Sequence, residues 1–256
     1  WQVEHAKKMK EEGKDFKPIF GCEAYYIPSI ADWKDQRELT KTKKQEAKAK
    51  GTVVEDSEGN RKEVRNSHFL LLAKNQTGLN NLFKLISDSF SGDGSFFRKP
   101  RIDLAALKEH SEGLIATTTC ISGPFAQVVW QNPDLTHFEL VDIMRPLVEQ
   151  FLDVFGDDYY AEVQWNNIPE QHKLNMCIID LAREYDIKLI STVDSHYAKP
   201  ELWRDRELYK RLGWLNIPNK PEWISGPIPG GVGEIGYELY PKNGDQVYDS
   251  YLKYSE

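Results

Sequence analysis

Along this chain the spacing of apolar positions switches repeatedly between a period of about two and a period of about 3.6 residues, the signatures of strand and helix. Val3, Ala6 and Met9 share one face of residues 2–14, which read as the later part of a helix. The run KPIFGCEAYY at 17–26 reads as a buried strand, and so do HFLLLAK at 68–74, GLIATTT at 113–119, YYAEVQ at 159–164 and KLISTV at 188–193. Helical patterns separate them. Leu79, Leu82, Phe83 and Ile86 line one side of residues 77–90, and Leu174, Ile178, Leu181 and Tyr185 do the same in 169–185. Asp103 is placed to cap a short helix ending at His110. The Gly123-Pro124 pair allows a turn into a helix through Trp130, and residues 134–155 are helical, with Pro146 expected to kink or split them.

Two stretches break this alternation. Residues from about 31 to 66 hold KTKKQEAKAK and VVEDSEGNRKEV, rich in charge and poor in large apolar groups. They predict an inserted helix followed by a hairpin around Glu58-Gly59-Asn60. Such an insertion is most simply a solvated surface excursion; its lysines are the alternative, as a nucleic-acid or partner contact. Beyond Trp214, residues 217–236 are rich in Pro and Gly, and Gly230-Gly231-Val232-Gly233 reads as flexible. Residues 245–254 are expected to add a last helix. The chain therefore divides into a domain over 1–214, carrying the charged insertion, and a linker or extension over 215–256.

Strands alternating with helices imply an α/β fold with parallel strands joined by helical crossovers. Composition fits a folded domain, with 40% hydrophobic and 12% aromatic residues. No apolar run approaches the roughly 20 residues a membrane-spanning helix needs. A net charge of -7 does not mark a dedicated duplex-DNA binder, which usually carries a basic face. The three cysteines, Cys22, Cys120 and Cys177, form no C-x-x-C pair and suit the reducing cytoplasm. The chain opens on Trp1 in what reads as mid-helix, so a natural start is expected upstream.

Five side chains share one kind of position. Glu23, His68, Cys120, Asp194 and His196 each fall at or just past the C-terminal end of a predicted strand, or head a strand with the side chain free to point inward. Ligands bind at the C-terminal strand ends of parallel α/β folds, and a barrel brings all such ends to one mouth where an open sheet does not. Carboxylate, imidazole and thiolate together form a ligand set suited to zinc, and less sharply to manganese or iron. In an extended Asp194-Ser195-His196 segment, the first and third side chains point the same way. Taken singly each has a plainer role: a capping Asp, a hydrogen-bonded His, a small core Cys, a Glu paired with a lysine. Their joint occurrence at equivalent positions favours a shared site.

The runs KPIFGCEAYYIP, HFLLLAKNQTGLNNLFKLIS, KPRIDLAALKEHSEGLIATTTC, NNIPEQHKLN and STVDSHY stand in one order between Lys17 and Tyr209. In order and wording they resemble the polymerase and histidinol phosphatase (PHP) domain of the DNA polymerase III alpha family, in bacterial or phage form. The resemblance implies a distorted (β/α)7 TIM-like barrel, incomplete at the N-terminus, with up to three divalent metals (zinc, manganese or magnesium) at its mouth. It carries metal-ligand roles onto Glu23, His68, Cys120, Asp194 and His196, and sets Arg101, in KPRID, beside the pocket as a phosphate contact. The family's opening H-x-H strand and its Asp-His-Gly segment do not occur here; Val193 stands where Asn is common, and Pro124 where Glu is usual. The charged insertion is closer to phage versions.

The implied parent is a cytoplasmic replicative DNA polymerase that reaches DNA and engages a proofreading exonuclease subunit and a sliding clamp. The implied chemistry of a complete site is metal-dependent phosphoester hydrolysis, as a 3′ to 5′ exonuclease. No P-D-x-D-x-D run occurs in the chain, so nucleotide transfer is not expected of these residues. A structural domain that binds a proofreading subunit is the rival reading. A free-standing phosphatase is a third, opposed by KPRID and LLAKNQTG.

Overall fold

In a computed structural model, residues 2–49, 66–91, 95–215, 217, 222–228, 230 and 238–255 are described. The expected hairpin at 58–60 and the glycine-rich 231–233 lie outside them. In chain order the main elements are α1 (Gln2–Glu11), β1 (Gly21–Tyr26), α2 (Ile30–Ala49), β2 (Ser67–Ala73), α3 (Gln76–Ser91), α4 (Leu104–His110), β3 (Leu114–Thr117), α5 (Pro124–Gln131), α6 (His137–Phe155), β4 (Tyr159–Gln164), α7 (Pro169–Glu184), β5 (Leu189–Thr192), α8 (Trp203–Leu212) and α9 (Gly244–Tyr254). Two compact units contain them: Trp1–Thr117 with Glu149–Tyr159, and Thr118–Val148 with Tyr160–Glu256.

In the first unit, residue parity decides what is buried. Ser67, Phe69 and Leu71 of β2 turn inward, while His68 and Leu70 turn to the more open face. Phe69 is fully buried, with ring centroids 5.3 Å from Tyr26, 5.0 Å from Phe151 and 6.1 Å from Phe155. Burial, and then the nearby Asp103 charge, push the Tyr26 phenol up to about 12. Asp103 starts two helices: one carboxylate oxygen accepts from Ala106 N at 3.0 Å and caps α4, and the other accepts from Ile30 N at 3.1 Å at the head of α2.

Strand direction departs from the expectation. β1 pairs antiparallel with β2, and β2 antiparallel with β3. The number of intervening helices does not account for this: α3 and α4 lie between β2 and β3, whereas α2 is the one described helix between β1 and β2, and both pairs are antiparallel. In the second unit the single helix α7 joins β4 to a parallel β5, with Ala161 opposite Leu189 and Gln164 opposite Thr192. The fold is thus α/β with five described strands in mixed directions. Helix α6 runs unbroken through Pro146, which neither splits nor ends it.

The second unit closes on α9, whose start is fixed by a capping box between Asn243 and Gln246. Its far end is tied to Glu238, which accepts from Lys253 Nζ at 2.7 Å and Tyr254 Oη at 3.0 Å, with Lys242 Nζ at 3.4 Å. Burial alone would raise the Glu238 carboxyl. The two hydrogen bonds and the lysine charges outweigh it and hold the group below its ordinary value. A depressed folded-state value contributes stability above the unfolded carboxylate value and loses it as pH falls through the folded one. The unfolding midpoint should therefore fall more steeply between about pH 5 and pH 3 for the parent than for Glu238→Gln. Parallel curves for the two proteins would remove Glu238 from the acid response.

Candidate metal centre

The register of β1 against β2 sets the first part of the site. Tyr25 lies opposite His68 and Glu23 opposite Leu70, so Glu23 and His68 are diagonal neighbours on one face. The Glu23 carboxylate reaches His68 Nδ1 at 3.1 Å, and both side chains keep solvent access. Tyr25 presents its ring edge-on to the imidazole at 5.7 Å, and Lys99 Nζ sits 4.0 Å from the Tyr25 ring centroid while donating to its hydroxyl. The two predicted ligands are brought together.

Arg101 is largely occupied. Its Nε donates to Asn66 Oδ1 at 2.8 Å, and Nη1 donates to the carbonyls of Phe97 and Lys99 at 3.0 and 2.8 Å. Its guanidinium lies 4.3 Å from the Trp33 ring centroid. Burial, then the nearby Arg37 charge, lower its pKa from the ordinary arginine value. Nε and Nη1 are thus taken up by Asn66 and the 97–101 loop, so a phosphate contact would fall to Nη2.

Cys120, Asp194 and His196 belong to the second unit. Cys120 follows the end of β3 and is buried. The Ser122 backbone N–H donates to its sulfur at 3.5 Å, and Gly123 N–H donates to its carbonyl at 2.8 Å. A Cβ on Gly123 would come within 2.8 Å of Thr118 O, so the turn behind the thiol requires glycine. Thr119, just before Cys120, has φ 67°, and Asp194 has φ 47°. Left-handed backbone at non-glycine residues is costly and gathers at functional sites. It also corrects the expected geometry of the D-x-H segment: at Asp194 the chain turns rather than extends. His196 folds back so that Nδ1 lies 2.6 Å from the Asp194 carbonyl and 4.0 Å from its carboxylate. The two side chains are neighbours through a turn, not through strand alternation.

Sequence reasoning missed a buried polar network behind this segment. Glu162, 5% exposed, accepts from Thr192 Oγ1 at 2.5 Å and from Gln164 Nε2 at 3.2 Å, and Gln164 also donates to Thr192. Thr192 is two residues from Asp194, so the network fixes the strand end from which Asp194 departs. The available signal was Glu and Gln inside the otherwise apolar run YYAEVQ. Beyond it, the Tyr197 hydroxyl accepts from Leu239 N at 2.9 Å.

A second constellation mimics a catalytic triad. His137 Nε2 lies 2.7 Å from Asp180, and its Nδ1 lies 3.5 Å from Cys177 Sγ. Cys177 is fully buried, and burial, then the Asp180 charge, raise its thiol to about 11. A nucleophilic cysteine needs the opposite shift. The trio clamps the start of α6 to α7.

Within the first unit Glu23 and His68 offer a carboxylate oxygen and an imidazole nitrogen side by side, and in the second unit Cys120 offers a sulfur. This mixture of donors fits a borderline-soft divalent ion such as zinc. Residues 2–166 match the PHP domain family, and the chain belongs to it. Its relatives include DNA polymerase III alpha subunits. That of Aquifex aeolicus is 39% identical over 195 residues, 76% of this chain and 14% of the relative. That of Thermus aquaticus is 35% identical over 155 residues, 60% of this chain and 12% of the relative. That of Deinococcus radiodurans is 30% identical over 187 residues, 73% and 12%. The chain thus spans about one seventh or less of the length of these relatives. No described helix is long and apolar enough to cross a membrane.

Proposed function

We propose that the chain is the PHP portion, over 1–214, of a replicative DNA polymerase of the polymerase III alpha type, with 215–256 leading towards the rest of the enzyme. In this reading Glu23, His68, Cys120, Asp194 and His196 hold divalent metal within the family's barrel fold, and the parent acts in the cytoplasm on DNA beside a proofreading exonuclease subunit and a sliding clamp. The observation that carries the metal role is the Glu23–His68 pair, two ligand types 3.1 Å apart on an accessible sheet face. Bound metal would supply an activated water and charge neutralisation at a phosphoester. The chain's own residues do the positioning. Tyr25 limits how far the His68 ring turns, the Ser122 amide orients the Cys120 sulfur, and the His196 Nδ1 contact with the Asp194 carbonyl leaves Nε2 as the outward nitrogen.

The test uses the longer polymerase. Stoichiometric divalent metal should survive dialysis, and manganese-dependent release of nucleotides from a single-stranded 3′ end should disappear in Asp194→Ala. Retained activity in that variant would strike Asp194 from the mechanism. Loss of all metal on dialysis would favour a non-catalytic domain that docks a proofreading subunit, a reading supported by the internal bonding of Arg101.

A further inference from the structure

Adjoining the Glu23–His68 pair through Tyr25 and Lys99, a patch of the first unit formed by α2 and the 97–101 loop has a different chemistry. Arg37, Arg98, Lys99 and Arg101 gather round the rings of Trp33, Phe97 and Tyr25. The Arg37 guanidinium lies 3.3 Å from the Phe97 centroid and 5.4 Å from that of Trp33. Arg98 lies 5.4 Å from Phe97. The Trp33 and Phe97 rings stand 6.3 Å apart at an interplanar angle of 44°. Arg37, Arg98, Lys99 and Phe97 are all exposed, Phe97 by 36%.

Three features point to an anionic, ring-bearing partner. First, none of the four cations pairs with a carboxylate among the described residues, although the chain carries 40 acidic residues and a net charge of -7. Four like charges held together without counter-charge repel one another, and a polyanion relieves that repulsion. Second, the cations are layered on aromatic faces, which keeps them ordered and leaves ring surface for a stacking partner. Third, the loop is held by built contacts. Arg101 donates to the carbonyls of Phe97 and Lys99, and Arg98 between them sits at φ 60°, a left-handed conformation that non-glycine residues adopt only when their surroundings impose it. A basic track combined with accessible stacking rings is the combination that binds single strands, whose unpaired bases have free faces.

We propose that this face binds single-stranded nucleic acid, with Phe97 and Trp33 stacking on bases and Arg37 and Arg98 contacting phosphates. Lys99 contributes charge beside Tyr25, and Arg101 positions the loop. The surface works without metal and does not depend on the metal-centre reading.

The test is fluorescence anisotropy of a labelled oligodeoxythymidylate of about 16 nucleotides with the 256-residue chain, at low salt and with EDTA present. Saturable binding is expected. Arg37→Glu with Arg98→Glu should weaken it about 10-fold or more and reduce the salt slope by about 1.4, about 0.7 for each lost phosphate contact. Phe97→Ala, which leaves the charge unchanged, should weaken it about 5-fold or more. Binding that survives both sets of substitutions overturns the proposal. So does displacement of the oligonucleotide by polyglutamate at equal charge concentration, which would assign the face to acidic polypeptide. Binding that vanishes with EDTA would place the strand at the metal centre instead, leaving that reading intact and this one refuted.

Discussion

Alanine at Gly78 is expected to cost about 3 kcal/mol of stability, the upper end of what overpacking usually costs. A Cβ there would stand 1.8 Å from the Gly113 carbonyl oxygen and 2.5 Å from its carbon. Both are backbone atoms, so no rotamer change relieves the clash. Nor is Gly113 free to retreat. Its carbonyl accepts from Lys74 N at 2.9 Å, its φ is 73°, and it leads directly into β3. On the other side, Gly78 N donates to Asn75 Oδ1 at 2.9 Å, which anchors the first turn of α3. Denaturant unfolding of Gly78→Ala against the parent measures the effect. A loss below about 1 kcal/mol would mean that the α3–β3 contact yields easily, and the close approach would then be incidental.

Phe69→Ala should be at least as damaging, at about 3–5 kcal/mol. Phe69 fills the centre of the first unit among Tyr26, Phe151 and Phe155, and those rings are too stiff to collapse into the space it vacates. The cost then contains a cavity contribution as well as the lost burial. Phe69→Leu keeps most of the volume and should cost clearly less. Equal losses for the two variants would show that the site repacks, contrary to the cavity argument. Because Phe69 and His68 point to opposite faces of β2, the leucine variant should also keep the Glu23–His68 pair.

How much of this was open to sequence reasoning depended on whether a property is local. All five described strands are written in short apolar runs, whereas the open face that Glu23 and His68 share emerges only from the pairing of β1 with β2. The Asp103 cap was equally visible, since a carboxylate before an apolar helical repeat has few other uses. Strand direction was not, because it is set by the path each connection takes and not by the strands themselves. The α8 segment WRDRELYKRL escaped notice because it buries only Glu207 and has little apolar rhythm. The left-handed turns at Thr119 and Asp194 are imposed by the closing chain on residues with no intrinsic preference for them. Arg101 was read as a phosphate contact from its place in KPRID, but most of its donors hold the loop, which only coordinates reveal. The basic and aromatic face of α2 was half legible: its charge was plain, whereas Phe97, the ring that the Arg37 guanidinium covers, comes from a loop far along the chain.

The diagonal pairing of Glu23 with His68 also constrains how chain length can vary. Deleting one residue within β1 would exchange Glu23 for Cys22 or Ala24 on the open face and swap every inward neighbour with it. Between the two strands the tolerance is opposite. Residues 27–66 connect them, and doubling the length of such a connection costs only about 0.6 kcal/mol in closure entropy. Homologous sequences should therefore gain and lose segments more readily between the end of α2 and the start of β2 than within either strand, where residues are counted strictly.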